Sequence, residues 1–207
     1  NDTKVVPARL RLKRATGGDA EVLLVESLGA GIWEALARPS RRLRAGERLG
    51  PVELLEPLGD GRWRVLLDGE PAGEPPLPPY IREPLAEPGR YQTVYAADPG
   101  SAAAPTAGLH FTPELLAQLD VERVTLHVGL DTFRPLTVDE LGDHELHGER
   151  YRVAPGAWAR IEAADRVLAV GTTTVRVLET IARDGSLDGR TSLYVLPGFE
   201  FRRVDAL

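Results

Sequence analysis

The sequence contains no cysteine and no methionine, and its 25 basic residues include only two lysines, Lys4 and Lys13. Without cysteine the chain has no disulfide, no thiolate nucleophile and no cysteine ligand for zinc, which excludes several enzyme classes. It also lacks an apolar run of the roughly 20 residues that a membrane helix needs, and because no charged and apolar stretch opens the sequence we expect no signal segment. We therefore expect a cytoplasmic protein with no membrane partner. Because translation starts with methionine and this chain starts at Asn1, we also expect a fragment or a processed product.

The charge is unevenly distributed, although the composition is that of an ordinary globular protein with 43% hydrophobic residues. The net charge is −6, yet residues 1–50 carry ten basic side chains and six acidic ones. The densest basic stretch, residues 38–48, offers the guanidinium groups of Arg38, Arg41, Arg42 and Arg44 to phosphates. The sequence alone favours a solvated surface loop here, because no aromatic residue that could stack on a base interrupts the run.

The pattern of apolar residues predicts two domains. Residues 20–26, 31–38 and 61–68 are short β-favouring runs bounded by glycine turns, which indicates a small antiparallel β domain. The proline-dense segment 71–88 predicts an extended connector. Beyond it strands alternate with helices, which predicts an α/β layer with a mainly parallel sheet. The predicted limits are 7–75 for the small domain, and 1–6 with 76–207 for the larger one.

The larger domain has specific predicted elements. Thr112 and Pro113 are typical of a helix N-terminus, and a second helix is predicted over residues 155–164. Strands are predicted over residues 122–128, 167–170 and 191–196, with the 167–170 strand buried.

All four histidines lie between His110 and His147, in loop-like motifs rich in glycine and threonine. Imidazole changes charge near neutral pH, so this clustering points to proton transfer or to polarisation of a ligand. His144 and His147 lie three residues apart, whereas the zinc-protease signature needs a spacing of four, so we favour a metal-free cluster. His127 alternates along an apolar strand, which is also typical of a hydrogen-bonded core residue.

The segment from Gly171 to Arg176 places a glycine and three threonines between a predicted strand and a helix. Free N–H groups at the helix start and threonine hydroxyls make an anion site, and a plain capped helix explains the same residues equally well. The segment lacks the lysine of a P-loop and the glycine spacing of a dinucleotide fingerprint.

Seven motifs, in order along nearly the whole chain, carry a family resemblance. They are NDTKVVPARL at 1–10, LPPYI at 77–81, YQTVYA at 91–96, AAPTAGLHF at 103–111, TLHVG at 125–129, GTTTVR at 171–176 and PGFEF at 197–201. Together they resemble the S-adenosylmethionine:tRNA ribosyltransferase-isomerases. That family's fold is a small β-barrel inserted in a larger α/β domain.

The resemblance implies a reaction in queuosine biosynthesis. The ribosyl part of S-adenosylmethionine is transferred to 7-aminomethyl-7-deazaguanine in tRNA and rearranged, giving epoxyqueuosine and releasing adenine and methionine. S-adenosylmethionine is then a consumed substrate, no cofactor or metal is expected, tRNA is the partner, and we expect a monomer.

The chemistry needs a base beside the sulfonium, an acid for the leaving adenine, and groups that hold the substrates. The candidate catalytic residues are His110, His144, His147 and Glu149. The candidate substrate-binding residues are Tyr91, Gln92, Thr93, Thr106, Gly108, His127, Thr132, Thr172, Thr173, Thr174 and Arg176, of which the last four could hold the methionine carboxylate or a tRNA phosphate.

The chain also departs from the family pattern. Family members begin before Asn1 and continue past Leu207, the joins near residues 71, 119 and 164 are short, and Asp131 stands where a small residue is usual. We therefore expect a chain truncated at both ends with loop segments missing. Two rival functions stay open: a noncatalytic tRNA-binding module that uses the arginine loop, and a metal-dependent hydrolase that uses His144 and His147.

Overall fold

The computed structural model describes residues 1–78, 81, 83, 85–129 and 148–207. The chain divides into two compact units. The larger unit comprises Asn1–Lys4, Pro84–Pro99 and Ala104–Leu207, and the smaller unit comprises Val5–Glu83 and Gly100–Ala103. The sequence-based domain limits, 7–75 and 76–207, stay a prediction.

The described strands and helices follow in chain order. The strands are β1 (Thr3–Val5), β2 (Arg9–Lys13), β3 (Asp19–Gly29), β4 (Ile32–Arg38), β5 (Arg48–Leu49), β6 (Val52–Gly59), β7 (Arg62–Leu67), β8 (Asp98–Ser101), β9 (Thr125–Leu126), β10 (Glu149–Arg152) and β11 (Asp188–Thr191). The α-helices are α1 (Pro113–Leu116), α2 (Pro155–Ala163) and α3 (Thr172–Asp184), and 3₁₀ helices cover Ser40–Arg42, Pro88–Tyr91 and Thr106–His110.

The smaller unit is built on a six-stranded antiparallel sheet in the order β2-β3-β4-β7-β6-β5. Alternate side chains of β4 (Trp33, Ala35 and Ala37) are buried, as expected for a strand with one face on a core. Two-residue turns join β3 to β4 at Ala30-Gly31 and β6 to β7 at Asp60-Gly61, and all four turn residues have positive φ, as type I′ hairpins require. The predicted strands 20–26, 31–38 and 61–68 are confirmed.

A side-chain pair ties the two edges of this sheet together. Arg14, just after β2, donates from Nε to Oε1 of Glu47 at 2.7 Å, and Glu47 lies just before β5. The hydrogen bonds from Arg14 hold the pKa of Glu47 below its ordinary value, against the opposing effect of burial. The sheet is therefore nearly closed, and the antiparallel part of the fold prediction is confirmed.

The larger unit contains a three-stranded sheet in the order β11-β10-β9, with α3 packed against β9 and β11. Both strand pairs are antiparallel, so the prediction of a mainly parallel sheet is wrong for these strands. Parallel pairing occurs between β1 and β8 and at the bridge between Leu168 and Ala206.

Helix α3 forms as its apolar spacing predicts. Val175, Leu178 and Ile181 are buried on one face, Gly171 precedes the helix with φ +89°, and Gly185 ends it in the left-handed region with φ +75°. The helix predicted at Thr112 is also confirmed: Thr112 Oγ1 accepts the backbone N–H of Leu115 at 3.3 Å. Helix α2 confirms the one predicted over 155–164.

Three predicted strands differ from the structure. Residues 167–170 contribute only the single bridge at Leu168, whose side chain is 65% exposed, so the buried-strand prediction is wrong. The last strand ends at Thr191 instead of running over 191–196, because the carbonyl groups of Thr191 and Leu193 accept hydrogen bonds from the Arg176 side chain. The strand predicted over 122–128 shrinks to β9. Within the described ranges, no helix is both long and apolar enough to cross a bilayer.

Candidate functional site

The first turn of α3 lies against the 3₁₀ helix Thr106–His110. Gly171 takes φ +89°, which favours glycine, and a Cβ built on it would lie 3.4 Å from the Cβ of Ala107. This approach brings two motifs of the sequence, GTTTVR at 171–176 and PTAGLHF at 105–111, into contact within the larger unit.

A cavity of about 730 Å³, here called the polar cavity, opens between these two motifs. A volume of this size is ordinary for a small-molecule site. Its lining includes five residues that the sequence proposes as site residues: Thr106, Glu149, Thr172, Thr173 and Arg176. The structure therefore brings together candidates that lie up to 70 residues apart in the chain.

Glu149 and Arg176 form an ion pair at the wall of the polar cavity. Their side chains are only 10% and 15% exposed, and Glu149 Oε1 also accepts the backbone N–H of Gly129 at 2.8 Å. The Arg176 guanidinium is held in turn by the carbonyl oxygen of Leu193 at 2.9 Å and by that of Thr191 at 3.0 Å. The pair thus fixes a carboxylate at the cavity in a defined orientation, as a reacting group requires.

The three threonines of α3 have different surroundings. Thr174 Oγ1 donates to the carbonyl oxygen of Val170 at 2.9 Å, and Thr173 Oγ1 accepts from Asn1 Nδ2 at 3.1 Å. Thr172 is exposed and lines the polar cavity. Thr172 is therefore the threonine best placed to meet a ligand, while Thr173 and Thr174 hold the turn.

Asn1 organises the site, a role that sequence reasoning missed. Its Oδ1 accepts the backbone N–H of Leu126 and its Nδ2 donates to the Leu126 carbonyl, both at 3.1 Å, in addition to the bond to Thr173. Asp2 accepts from Thr125 Oγ1 at 2.7 Å. The NDT motif at residues 1–3 could have signalled this role, because short polar side chains in series often bind backbone groups.

His127 is half-buried in a hydrogen-bonded setting. Its Nδ1 lies 2.9 Å from Thr3 Oγ1, and its Nε2 lies 3.9 Å from Oδ1 of Asp98, whose other oxygen pairs with Arg152 at 2.6 Å. Burial lowers the pKa of His127 below its ordinary value, and the nearby Asp98 carboxylate partly opposes that effect. The lowered pKa favours the neutral imidazole, and the contact with Thr3 sets the orientation of the ring. Its proposed role in substrate binding stays a prediction.

The remaining described candidates fall into a packed group and an exposed histidine. Gly108 is packed against Thr93 and Tyr95: a Cβ on Gly108 would meet the Tyr95 hydroxyl and would lie 2.9 Å from Thr93 Cγ2. Thr93 and Tyr91 are buried, and Gln92 is half-buried. His110 ends the 3₁₀ helix with an exposed side chain. Gly108 and His110 share a 3₁₀ helix with Thr106, which lines the polar cavity. The roles of all these residues toward substrate stay predictions.

His144, His147 and Thr132 lie outside the described residues. Among the residues that are described, no three His, Asp or Glu side chains come together in a way that could hold a metal ion.

The arginine loop belongs to the smaller unit. Arg38, Arg41, Arg42 and Arg44 are all exposed. Arg44 Nη1 donates to the carbonyl oxygens of Leu43 at 3.1 Å and Arg41 at 3.4 Å, so its side chain braces the loop.

Most other cations of the smaller unit are in ion pairs: Arg11 with Glu74, Lys13 with Asp19, Arg48 with Asp68 and Arg64 with Glu56. The side chains of Arg38, Arg41 and Arg42 have no such partner in the described part of the chain. Their guanidinium groups are therefore available to contact phosphates.

The whole chain matches one family of known proteins. The family model described as queuosine biosynthesis protein matches residues 1–207. The chain belongs to the queuosine biosynthesis protein family. This confirms the resemblance that the seven motifs carry.

Curated relatives in this family are similar along the whole chain. The chain is 49% identical over 222 residues to the S-adenosylmethionine:tRNA ribosyltransferase-isomerase of Rubrobacter xylanophilus, covering 100% of the chain and 66% of the relative. It is 48% identical over 238 residues to the protein of the same name from Moorella thermoacetica, covering 69% of that protein. The chain thus spans about two thirds of the length of the curated relatives it matches.

A solved structure is also similar. The crystal structure of an S-adenosylmethionine tRNA ribosyltransferase from Thermotoga maritima shares 31% sequence identity, with 98% of this chain and 62% of that chain covered and a TM-score of 0.38.

Proposed function

We propose that this chain is part of an S-adenosylmethionine:tRNA ribosyltransferase-isomerase. The proposed reaction moves the ribosyl group of S-adenosylmethionine to 7-aminomethyl-7-deazaguanine in tRNA and isomerises it, giving epoxyqueuosine-tRNA, adenine and methionine. The observation that carries the proposal is family membership over residues 1–207, with relatives of that name at 48–49% identity. The convergence of predicted site residues at one cavity supports it.

Glu149 is the proposed base among the described candidates. The reaction begins with loss of a proton from the carbon next to the sulfonium, which that positive charge acidifies. Glu149 presents a carboxylate at the polar cavity, and its orientation is fixed by Arg176 and by the Gly129 N–H. A carboxylate fixed beside a bound substrate can accept such a proton. His110, His144 and His147 stay as candidates for the acid that assists the departure of adenine.

The start of α3 is the proposed site for the methionine end of S-adenosylmethionine. Thr172 is exposed at the polar cavity, and the positive end of the helix dipole at the start of α3 favours a carboxylate. Thr173, Thr174 and Arg176 act indirectly in this proposal, because their polar groups already hold Asn1, Val170, Glu149 and the 191–193 segment. No cofactor takes part, since S-adenosylmethionine is consumed.

The arginine loop is the proposed tRNA contact. Arg38, Arg41 and Arg42 are exposed and lie in a segment braced by Arg44, so their guanidinium groups are available for bidentate contacts to phosphate oxygens. A tRNA substrate also favours the expected cytoplasmic location. The expectation of a monomer stays a prediction.

The test is an isotope assay. The full-length protein is incubated with ribose-labelled S-adenosylmethionine and tRNA bearing 7-aminomethyl-7-deazaguanine, and label in tRNA is followed together with adenine release. We expect label in the tRNA with an equal amount of adenine. A folded protein that gives neither product would remove the enzyme assignment.

The same assay separates the two rival functions. Salt-sensitive tRNA binding without consumption of S-adenosylmethionine would favour the noncatalytic RNA-binding module. A metal-dependent hydrolase requires stoichiometric bound metal, which elemental analysis of the purified protein measures.

A further inference from the structure

A second cavity of about 500 Å³, here called the apolar cavity, lies against the same helix turn. It is bounded by α3 on one side and by segments 193–195 and 201–207 on the other. Thr172 and Arg176 line both the polar and the apolar cavity. The two cavities therefore adjoin, with the first turn of α3 as their common wall.

The lining of the apolar cavity suits a flat aromatic ring. It consists mainly of aliphatic and aromatic side chains, namely Val175, Leu193, Tyr194, Val195, Phe201 and Val204. Phe201 lines the cavity and is 52% exposed, so its ring is accessible to a ligand that enters the cavity. Aromatic side chains at a cavity provide stacking faces for nucleobases.

The Phe201 side of the cavity is held rigidly from behind. The fully buried Glu179 carboxylate of α3 accepts the consecutive backbone N–H groups of Arg202, Arg203 and Val204, each at 2.9 Å. The Arg183 guanidinium pairs with Glu179 and lies 4.3 Å from the centre of the Phe199 ring.

The Phe199 ring in turn reaches Phe201. It packs edge-on against Phe201, with 5.0 Å between the ring centroids. Phe201 is therefore ordered before any ligand arrives, which lowers the entropic cost of binding.

We propose that the apolar cavity binds the adenine ring of S-adenosylmethionine while the methionine end lies in the polar cavity near Thr172. This inference rests on the proposed function. S-adenosylmethionine has a flat purine at one end and a charged amino acid at the other, and two adjoining cavities of matching character accommodate these ends across a common wall. The sulfonium carbon then lies toward Glu149, whose partner Arg176 lines both cavities.

The alternative base, the deazaguanine of the tRNA, fits this cavity less well. That base carries an oxo group, an amino group and an aminomethyl cation, and each needs a polar partner when buried. The apolar lining offers few such partners, since Asp205 Oδ2 already accepts the backbone N–H of Val167 at 2.7 Å. Adenine presents fewer polar groups and no charge.

A pair of valine substitutions tests the proposal. Val195→Phe places a ring in the apolar cavity, whereas Val121→Phe makes the same change at a 46%-exposed position of the larger unit outside both cavities. Unlabelled adenosine and methionine compete separately against labelled S-adenosylmethionine. We expect Val195→Phe to weaken the binding of adenosine about tenfold or more, because the added ring excludes it sterically. The binding of methionine should be unchanged. Val121→Phe should match the wild type.

A second variant removes the stacking face instead of filling the cavity. Phe201→Ala should weaken the binding of adenosine by roughly 5- to 150-fold, the range that removal of one base–aromatic stack produces. Thermal melts of all variants confirm that the binding changes occur in folded protein. Wild-type adenosine affinity in both folded cavity variants would overturn the proposal, as would a raised KM for tRNA with unchanged binding of S-adenosylmethionine.

Failure of this proposal and failure of the proposed function give different results. If the wild type transfers no label but Val195→Phe abolishes adenosine binding, the cavity assignment stands and the proposed reaction falls. If the wild type transfers label and neither variant alters adenosine binding, the reaction stands and the cavity assignment falls.

Discussion

Glu149 forms a largely buried ion pair with Arg176, and through this pair a carboxylate is fixed at the edge of a cavity. The two residues lie on different elements, β10 and α3, so the pair also joins the sheet to the helix. A buried ion pair contributes little net stability, because desolvation offsets much of the Coulomb attraction, and its value here is in orientation.

Glu149→Gln should lower kcat by about 100-fold or more, because the amide keeps the shape of the side chain but does not accept a proton as a base. The affinity for S-adenosylmethionine should change little. Steady-state kinetics with tRNA and labelled S-adenosylmethionine measure both quantities.

Glu122→Gln is the matched control for this variant. Glu122 forms another glutamate–arginine pair of the larger unit, with the exposed Arg160, and this variant removes its carboxylate. Turnover should stay at the wild-type value. Since the amide leaves the Arg176 charge unbalanced, a thermal melt must show that Glu149→Gln is folded at the assay temperature. Wild-type turnover of folded Glu149→Gln would remove Glu149 as the base.

Gly108→Ala should destabilise the protein by about 1–3 kcal/mol, the usual cost of overpacking. The added methyl group would collide with the Tyr95 hydroxyl and lie 2.9 Å from Thr93 Cγ2. Denaturant titration gives the free energy of unfolding. Gly89→Ala is the control, because a Cβ there meets no atom within 4 Å. Tyr95→Phe should partly rescue Gly108→Ala, and equal stability of the two alanine variants would contradict the packing argument.

Glu179 should make stability depend on acid pH. Burial raises the pKa of Glu179, but hydrogen bonds from the N–H groups of residues 202–204 and from Arg183 outweigh it, so the pKa lies below the ordinary 4.5. A lowered pKa stabilises the folded protein fully above 4.5, and this contribution disappears as the pH falls through the lowered value.

Glu179→Gln should therefore have a lower free energy of unfolding than the wild type at pH 7. As the pH falls below 5, its free energy of unfolding should decrease less steeply than that of the wild type. The decrease at pH 7 should be about 1–3 kcal/mol, because a charged acceptor of several hydrogen bonds becomes a neutral one. Unfolding titrations at several pH values measure it. Parallel pH profiles for wild type and Glu179→Gln would show that Glu179 is not the source of the acid sensitivity.

The arginine loop should control the salt dependence of tRNA binding. Arg41→Ala combined with Arg42→Ala should reduce the slope of log affinity against log salt by about 0.7–0.9 for each phosphate that the loop no longer neutralises. Binding titrations at several salt concentrations give the slope. Arg48→Ala should change it less, because Arg48 is already paired with Asp68. An unchanged slope in the double variant would place the tRNA contact elsewhere.

Sequence reasoning succeeded where local spacing determines structure. The strand alternation around Trp33, the Asp60-Gly61 turn, the Thr112 cap and the apolar face of α3 depend on residues close together in the chain. It failed at segments 167–170 and 191–196, where the outcome depends on distant partners such as Ala206 and Arg176.

The candidate site divides in the same way. The sequence motifs alone identified the family and the residue types that could carry its chemistry. Both are properties of the order of residues. Tertiary structure alone decided that Glu149 meets Arg176, that Asn1 holds Leu126 and Thr173, and that two cavities share the start of α3. These contacts join residues far apart in the chain. Their geometry depends on how the helix and the strands pack, and the spacing of residues along the sequence does not encode that packing.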